Sequence, residues 1–284
     1  MQHTEVLFKD VDGLSLFEQR WQPDGDIKAA IVIVHGFAEH SNRYIHVAEC
    51  LTRRGYAVYA FDLPGHGRSE GPRALVSSFN NYLSCLARFL DRVSKRESGR
   101  PVFLLGHSMG GTIAVLLAIT QDLSVRGLIL SGPLLKASEK IAAPVMFFIS
   151  VAGALFPSLP VLKEINSNKV SSDPGVAKRY NDDPLVYHGK LLAGEAREIN
   201  RAIGRIQKKM EGISLPLLIL HGTGDRLVDI EGSRQLYARA GSSDKTIKLY
   251  KGFYHEILNE PGKDKVLSDV ITWLDTHTRS EKGV

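Results

Sequence analysis

The sequence predicts an α/β fold, with a mostly parallel sheet of eight strands flanked by helices and one inserted helical segment. Short apolar runs alternate with segments of helical period, which is the pattern of repeated β-helix-β units. This alternation stops between about residues 134 and 212 and then resumes. With 284 residues, 43% hydrophobic and 24% charged, the chain can bury a large core as one domain with an insertion.

The predicted strands follow the apolar runs in order. They cover residues 5–8, 14–21, 29–34, 56–61, 102–105, 127–131, 215–220 and 246–250. A short Val-Asp-Gly turn at residues 11–13 joins the first two strands, which favours an antiparallel hairpin. Helical periods lie at residues 43–54, 79–95, 111–120, 231–240 and 263–276. Because helices connect the later strands, we expect those strands to run parallel.

The interrupted stretch at residues 134–212 contains helix-like pieces, no convincing strand and turn clusters at residues 171–174 and 182–184. It is too long for a loop inside a compact domain. Insertions between strands of an open α/β sheet tend to lie over its carboxyl edge, where ligands bind. The sequence therefore predicts a core of residues 1–133 and 213–284, with a helical cap formed by residues 134–212.

The most informative motif is Gly-His-Ser-Met-Gly at residues 106–110, a G-x-S-x-G pattern. It comes directly after the apolar run at residues 101–105 and directly before the helical segment at 112–118. In a strand-turn-helix context, such a serine lies on a strained turn with its hydroxyl exposed at the edge of the sheet. The alternative is a glycine-rich turn with an incidental serine. The flanking pattern favours Ser108 as a nucleophile.

A serine nucleophile needs a histidine base, and the histidine needs a carboxylate to orient it. In this topology the acid and then the histidine follow the nucleophile, each in a loop after a strand. Asp225 follows the run at residues 215–220, and His255 follows the run at 246–250. Asp229 is the rival acid, but Asp225 lies nearer to the strand end and follows a turn glycine.

The negative charge that develops on a substrate carbonyl requires two backbone N–H donors. Met109, directly after the serine, is predicted to supply one of them. The other is expected from the loop after the third strand, where Phe37 is the predicted donor. Together with the three side chains above, these amides would complete a site for nucleophilic attack on a carbonyl.

The sequence indicates neither a metal nor a cofactor. Residues 65–71 carry three glycines after a strand, but their spacing differs from that of a dinucleotide-binding loop. No P-loop and no His-Glu-x-x-His motif occurs, and the spacing of His35, His40 and His46 does not fit a ligand set. We therefore expect catalysis by protein groups alone.

Charge and cysteine content narrow the expected partners and location. The net charge of +5 comes from scattered lysines and arginines without a DNA-binding motif, so no nucleic-acid partner is predicted. Cys50 and Cys85 fall on separate predicted helices without C-x-x-C spacing, which indicates free thiols outside the chemistry and suits a reducing cytosol. The N-terminal segment carries acidic residues and no long apolar run, so we expect a cytoplasmic protein.

Together, these motifs resemble the α/β-hydrolase superfamily. Further marks of this resemblance are His-Gly at residues 35–36, Asp-Leu-Pro-Gly-His-Gly-Arg-Ser at 62–69 and His-Gly-x-x-Asp at 221–225. Two other stretches resemble the monoacylglycerol lipase and lysophospholipase-like serine hydrolases more narrowly: His-Gly-Phe-Ala-Glu-His-Ser-Asn-Arg-Tyr at 35–44 and Tyr-Asn-Asp-Asp-Pro-Leu at 180–185. The likeness extends from about residue 5 to residue 275.

The resemblance implies a serine hydrolase that cleaves carboxylic esters through an acyl-enzyme, with monoacylglycerol as the expected substrate. A lysophospholipase, a broad carboxylesterase and a non-hydrolytic ligand receptor on the same fold are the alternatives. It also implies that Glu39, Arg43 and Tyr180 lie at the polar, glycerol side of the pocket. Their alternative role is an ion pair and a packed aromatic ring that anchor the cap to the core. Leu258 departs from the family, because some members carry a histidine at that position.

One strongly apolar stretch, residues 141–160, lies inside the predicted cap and includes Phe147 and Phe148. Prolines and a glycine interrupt it, which favours a buried or surface-lying amphipathic segment over a membrane span. We expect it to line an acyl channel, with both phenylalanines contacting substrate, and to make transient contact with a membrane surface. The alternative is that all of its apolar side chains pack against other cap helices.

Overall fold

The computed structural model describes residues 1–137 and 142–278, and a mixed sheet forms its centre. Ten strands occur in the order β1 (Gln2–Lys9), β2 (Ser15–Gln22), β3 (Ala29–Val34), β4 (Tyr56–Phe61), β5 (Val102–His107), β6 (Gly127–Ser131), β7 (Pro160–Leu162), β8 (Leu191–Leu192), β9 (Leu217–Gly222) and β10 (Lys245–Tyr250). Eight of them form one sheet in the order β1-β2-β4-β3-β5-β6-β9-β10. In this sheet the β1–β2 and β2–β4 pairs are antiparallel, and the β4–β3, β3–β5, β5–β6, β6–β9 and β9–β10 pairs are parallel.

Helices cover both faces of this sheet. The helices within the described ranges are α1 (Ile45–Thr52), α2 (Phe79–Arg96), α3 (Met109–Thr120), α4 (Ala143–Leu155), α5 (Pro174–Asp182), α6 (Ala193–Gln207), α7 (Ile230–Arg239) and α8 (Lys263–Thr278). One apolar core lies between the sheet and helices α2, α3, α6 and α7, and a second lies between the sheet and helices α1 and α8. A central strand such as β3 contributes alternate side chains to the two cores, which explains its uninterrupted apolar sequence.

The predicted fold class is confirmed, and three predicted strands, at residues 29–34, 56–61 and 127–131, coincide with the observed ones. The expectation of no strand within residues 134–212 was wrong, because β7 and β8 pair antiparallel there. These strands have three and two residues, too few to produce an alternating pattern in the sequence. Residues 41–44 form a 3₁₀ turn before α1, where a continuous helix from residue 43 was expected.

The segment between β6 and β9 is attached to the core mainly through α6. The buried carboxylate of Glu195 accepts hydrogen bonds from the Val76 amide and the Tyr82 hydroxyl, both at 3.1 Å. Glu198, one turn further along, accepts a hydrogen bond from the Phe79 amide at 3.0 Å. Burial raises the pKa of Glu195 to about 8, so this carboxyl group is mostly protonated at neutral pH. The proposed boundaries of the cap and core remain predictions. Residues 138–141 of the predicted cap and residues 279–284 of the predicted core lie outside the described residues.

Two glycines allow the chain to turn from β5 into α3 while α3 lies directly against the sheet. A Cβ atom on Gly106 would lie 2.6 Å from the carbonyl oxygen of Gly110. A Cβ atom on Gly110 would lie 2.2 Å from the carbonyl oxygen of Val34 at the end of β3. Backbone cannot move away from such a contact without shifting a strand or a helix. The elbow therefore requires glycine at both positions.

We expect Gly110→Ala to lower the free energy of unfolding by at least about 3 kcal/mol, because the new methyl group overlaps the backbone of β3. Urea unfolding followed by circular dichroism measures this loss.

Gly204→Ala is the matched control, because Gly204 lies in α6 and a Cβ atom added there would meet no heavy atom of the described residues within 4 Å, apart from its chain neighbours and the backbone of its own helix. Alanine there should stabilise the protein by up to about 1 kcal/mol through helix propensity. Equal effects of the two substitutions would show that the approach of α3 to β3 does not constrain the fold.

Candidate active site

Ser108 lies between the last residue of β5 and the first residue of α3, in a strained backbone conformation. Its φ and ψ angles are 51° and −117°, which a non-glycine residue adopts at a cost of about 1 to 3 kcal/mol. The Ser108 amide donates to the carbonyl of Ser131 at 3.1 Å, and its carbonyl accepts from the amide of Leu134 at 3.0 Å. The side chain makes no capping hydrogen bond to α3 within the described chain. These backbone contacts hold the strained turn and leave the hydroxyl available for other partners.

Asp225 and His255 form a buried hydrogen-bonded pair at the carboxyl edge of the sheet. Asp225 follows β9, His255 follows β10, and the Nδ1 atom of the imidazole lies 2.7 Å from Oδ2 of the carboxylate. The other carboxylate oxygen accepts from the amides of Leu227 and Val228 at 2.8 and 3.0 Å. Because Nδ1 is engaged by Asp225, Nε2 is the ring nitrogen left for proton transfer.

Asp225 and His255 each stabilise the charged form of the other side chain. Burial raises the pKa of Asp225, but the charge of His255, the nearby His221 and hydrogen bonds from His255 and Val228 together lower it well below its ordinary value. His221 Nε2 lies 3.1 Å from the same Oδ2 atom. Burial lowers the pKa of His255, but the charge and hydrogen bond of Asp225, followed by Glu256 and Glu39, raise it above its ordinary value overall. The imidazolium that forms during proton transfer is therefore stabilised.

Asp229, the rival acid in the sequence, has different partners. Its Oδ1 atom accepts a hydrogen bond from the Glu231 amide at 3.0 Å and caps the N-terminus of α7. Its Oδ2 atom pairs with Lys136 at 2.6 Å. The structure thus brings Asp225 to His255 and gives Asp229 a helix-capping position.

Two backbone amides converge beside Ser108. Neither the Phe37 amide nor the Met109 amide donates a hydrogen bond to any atom of residues 1–137 or 142–278. Met109 is the first residue of α3, where helical N–H groups lack intrahelical acceptors. The loop that carries Phe37 is close to the serine, because a Cβ on Gly36 would lie 3.0 Å from Ser108 Cβ. This geometry can hold an oxyanion on a substrate attacked by Ser108.

Two spaces meet at Ser108 and His255: an apolar cavity, and a smaller space of mixed lining that includes charged groups of the site. The larger is an apolar cavity of about 260 Å³, lined by Phe37, Ser108, Leu134, Ala137, Met146, Leu162, Ile165, Leu191, Ala196, Ile199, Asn200, Ile203, Leu227, Val228 and His255. The smaller, of about 20 Å³, is lined by Gly36, Phe37, Glu39, His107, Ser108, Ile165, Val170, Tyr180, Leu227, His255 and Glu256. An ester bond at Ser108 can therefore place an apolar chain on one side and a small polar group on the other.

Glu39, Arg43 and Tyr180 lie together behind the smaller space. The Glu39 carboxylate accepts hydrogen bonds from the Gly36 amide at 2.6 Å, the Tyr44 hydroxyl at 2.8 Å and Arg43 at 3.3 Å. The Arg43 guanidinium lies 4.9 Å from the centre of the Tyr180 ring. Burial raises the pKa of Glu39, but Arg43 and the neighbouring histidines lower it to about 2. Glu39 and Arg43 are thus an internal ion pair, as in the alternative role considered for them.

Tyr180 differs from these two residues, because its buried hydroxyl has no hydrogen-bond partner among the described residues. Tyr180 also lines the smaller space. Sequence reasoning missed Glu256, whose carboxylate pairs with Arg43 through two contacts of 2.8 Å. Its position directly after His255 was the available signal.

The two predicted phenylalanine contacts lie elsewhere. Phe147 and Phe148 of α4 are 67% and 70% exposed and are not among the described residues that line the cavity. Met146 is the residue of the predicted 141–160 stretch that lines it. The exposed apolar side chains of this stretch are Val145, Phe147, Phe148, Val151, Leu155, Phe156 and Leu159. They form the outer face of α4 and the turn that follows it.

Other features constrain the chemistry. In the part of the chain that the structure describes, no group of three or more histidine, cysteine or acidic side chains is arranged to hold a metal ion. No helix of those residues is long and apolar enough to cross a membrane. Cys50 and Cys85 are unbridged, and burial raises the pKa of the Cys85 thiol, so that it stays protonated.

We expect Asp225→Asn to lower the pKa of His255, because the substitution removes the largest influence that raises it. Asp229→Asn should leave that pKa unchanged and keep the helix cap, because asparagine caps a helix about as well as aspartate does. Histidine NMR titration of the two variants checks both outcomes. A larger shift in Asp229→Asn would transfer the orienting role to that residue.

Comparison with known proteins identifies the family of this chain. The family model described as "Serine aminopeptidase, S33" matches residues 25–262. The chain is 36% identical over 274 residues to a monoacylglycerol lipase of Mycolicibacterium smegmatis, covering 96% of this chain and 98% of that protein. It is 36% identical over 273 residues to human monoglyceride lipase, covering 95% and 89%. A crystal structure of Paleococcus ferrophilus monoacylglycerol lipase superimposes with a TM-score of 0.84 and 32% identity, covering 92% and 99%. The chain therefore belongs to the serine aminopeptidase S33 family of α/β-hydrolases and, within that superfamily, to the serine hydrolases resembling monoacylglycerol lipases.

Proposed function

We propose that this protein is a serine hydrolase that cleaves monoacylglycerol into a fatty acid and glycerol. The observation that carries this proposal is the buried Asp225–His255 pair beside strained Ser108, at the junction of an apolar cavity and a small polar space. The relatives named monoacylglycerol or monoglyceride lipase support the choice of substrate.

In the first half of the reaction, the Ser108 hydroxyl attacks the ester carbonyl while Nε2 of His255 takes its proton. The carbonyl oxygen becomes an oxyanion and binds the amides of Phe37 and Met109. The tetrahedral intermediate collapses when the bond to the alcohol oxygen breaks and His255 returns the proton to the leaving glycerol. The acyl group remains attached to Ser108 as an ester.

In the second half, water takes the place of the alcohol. His255 removes a proton from the water as it attacks the acyl carbonyl, and the same two amides stabilise the second oxyanion. Protonation of Ser108 by His255 releases the fatty acid. Throughout both halves, Asp225 fixes the orientation of the imidazole and stabilises its charged form.

The two spaces favour one acyl chain and a small alcohol. The aliphatic walls of the larger cavity suit an acyl chain, because its burial removes apolar surface from water. The smaller space holds the free hydroxyl of Tyr180 and the carboxylates of Glu39 and Glu256, which suits a small group rich in hydroxyls. The buried carboxylates of Glu39 and Glu256 beside the smaller space disfavour a second acyl chain there.

We also propose that residues 134–212 act as a cap over the site. Most walls of the larger cavity come from this segment, including Met146 of α4 and Ile199 of α6. The exposed apolar face of α4, with Phe147 and Phe148, is well suited to insert into the surface of a membrane that contains the substrate. In this arrangement the phenylalanines serve lipid contact, and peripheral binding from the cytoplasm remains a prediction.

Lysophospholipase and broad carboxylesterase activities use the same catalytic groups and differ in the alcohol they accept. The relatives named monoacylglycerol or monoglyceride lipase favour glycerol as that alcohol. A non-hydrolytic receptor would not need the Asp225–His255 pair or two free amides beside Ser108. Ester hydrolysis therefore accounts for more of the site than ligand binding alone.

We expect monoacylglycerols to be hydrolysed far faster than diacylglycerols, triacylglycerols or lysophospholipids with the same acyl chain, when all are presented in matched micelles. Release of fatty acid measures each rate. Comparable triacylglycerol turnover would contradict the small polar space and indicate an open groove.

Ser108→Ala is the control for this comparison. It should lose about 10³-fold or more in kcat and should no longer react with a fluorophosphonate probe. Normal labelling of Ser108→Ala by the probe would remove Ser108 from the proposed mechanism.

We expect Phe147→Ser combined with Phe148→Ser to weaken binding to anionic phospholipid vesicles and to raise KM for long-chain monoacylglycerol, while turnover of a short-chain ester stays near normal. The reason is that both rings are exposed and their replacement leaves the cavity walls in place. Vesicle sedimentation and steady-state kinetics measure the two effects.

Leu7→Ser combined with Val11→Ser is the matched control, because these side chains are 65% and 57% exposed on the β1–β2 hairpin. It should leave vesicle binding unchanged. If the α4 variant loses stability but keeps vesicle binding and long-chain kinetics, its face packs within the fold and has no role at membranes.

A further inference from the structure

The proposed mechanism assigns no step to Glu256, a buried acidic residue at the site. Glu256 follows His255 directly and is 5% exposed. Its two carboxylate oxygens accept hydrogen bonds from the two terminal nitrogens of Arg43, each at 2.8 Å. Asn259 donates a further hydrogen bond at 2.9 Å, and the Glu256 amide donates to the Val170 carbonyl at 2.7 Å. Such a two-point pair fixes both the distance and the orientation of its partners.

Arg43 also contacts the other side of the site. It lies 3.3 Å from Oε2 of Glu39, whose Oε1 atom accepts the Gly36 amide at 2.6 Å. The next residue along the chain is Phe37, the proposed oxyanion donor. One buried cation therefore connects the loop that carries Phe37 with the loop that carries His255.

The arrangement also encloses Arg43. Its side chain is 10% exposed, its guanidinium pairs with two carboxylates, and its face lies against the ring of Tyr180. An arginine in such surroundings is already satisfied by protein groups. It is suited to hold segments of the chain in place rather than to bind a substrate.

We propose that Glu256 is a positioning residue for ester hydrolysis, which holds the His255 loop against the oxyanion loop through Arg43 and sets the charge beside the imidazole. The inference rests on the proposed function, in which His255 is the general base. In this proposal Arg43 and Glu39 are positioning residues as well. None of the three needs to touch the reacting atoms.

The charges around His255 give this proposal a specific signature. The titratable or charged side chains grouped around it are Asp225 after β9, His107 at the end of β5, Glu39, Arg43 and Tyr44 in and beside the oxyanion loop, Tyr180 of α5, and Glu256. The His107 ring lies 4.8 Å from the His255 ring, and burial together with the His255 charge lowers the pKa of His107 to about 4. His107 is therefore neutral in the working range, and the carboxylates and Arg43 determine the local charge.

The sign of each substitution follows from this balance. Glu256 is among the groups that raise the pKa of His255, so its neutralisation must lower that pKa. Loss of the Arg43 cation leaves the carboxylates unopposed and must raise it. General loosening of the fold would not shift the pKa of His255 in opposite directions when Glu256 and Arg43 are substituted separately.

The test measures kcat/KM against pH for the full-length protein, because its acid limb reports the pKa of the free base. With a water-soluble short-chain ester, Glu256→Gln should move the acid limb down by about 0.5 to 1 pH unit, and Arg43→Gln should move it up. Glu256→Gln should also lower kcat at least about tenfold, with KM for monoacylglycerol within about twofold, because positioning acts on the chemical step.

Two further variants separate charge from geometry. Glu256→Asp keeps the charge with a shorter side chain, so the acid limb should stay in place while kcat falls. Glu260→Gln alters another buried carboxylate of the same loop, one that accepts the Ser172 amide at 2.6 Å, and should leave the acid limb unchanged. If Glu256→Gln folds poorly, Glu256→Asp and Arg43→Gln still give the kcat effect and the upward shift.

The inference is overturned if Glu256→Gln keeps the wild-type acid limb and kcat, or if Arg43→Gln shifts the limb in the same direction. Either result, obtained with Ser108→Ala inactive, leaves the proposed function intact. Retained hydrolysis in Ser108→Ala would instead refute the proposed function itself.

Discussion

The close approach of α3 to β3 is the constraint on which the rest of the site depends. The backbone of Gly110 lies so close to the carbonyl of Val34 that no side chain fits between them. With α3 held there, the chain must leave β5 and enter the helix across one residue, and Ser108 takes up the strain at φ 51°. The same approach sets the Met109 amide beside the end of β3 and the loop that carries Phe37. The proposed nucleophile and both proposed oxyanion donors are thus consequences of one packing contact.

Buried charge is the second organising feature of the site. The carboxylates of Asp225, Glu39 and Glu256 are each held by N–H donors or by Arg43, which compensates for their removal from water. Glu195 differs from these three, since its hydrogen-bond partners among the described residues are the neutral Val76 amide and Tyr82 hydroxyl, and burial raises its pKa to about 8. The protein therefore keeps ionised carboxylates beside the imidazole and a largely neutral one where the insertion joins the core.

The sequence was sufficient to predict those features of the fold and the site that depend on neighbouring residues. Continuous apolar runs predicted central strands such as residues 29–34, and G-x-S-x-G predicted the turn at Ser108, because both depend on neighbouring residues. Contacts between distant segments were harder to foresee. The Arg43–Glu256 pair spans 213 positions, and nothing local to either residue indicates the other. The outward direction of Phe147 and Phe148 likewise depends on how α4 packs against α6, because an almost uniformly apolar helix does not reveal which face is buried.

The polar groups and the walls of the apolar cavity lie mostly on different parts of the structure. The sheet edge and its short loops hold the polar groups, which are fixed by hydrogen bonds within their own loops or to a neighbouring loop. The insertion supplies mostly aliphatic walls, which make few directional contacts and tolerate repacking. A chain built in this way can change the acyl group it accepts through substitutions in α4 and α6 while the catalytic geometry stays the same. Changing the alcohol would be harder, because the small polar space is enclosed by the same charges that position His255 and the oxyanion loop.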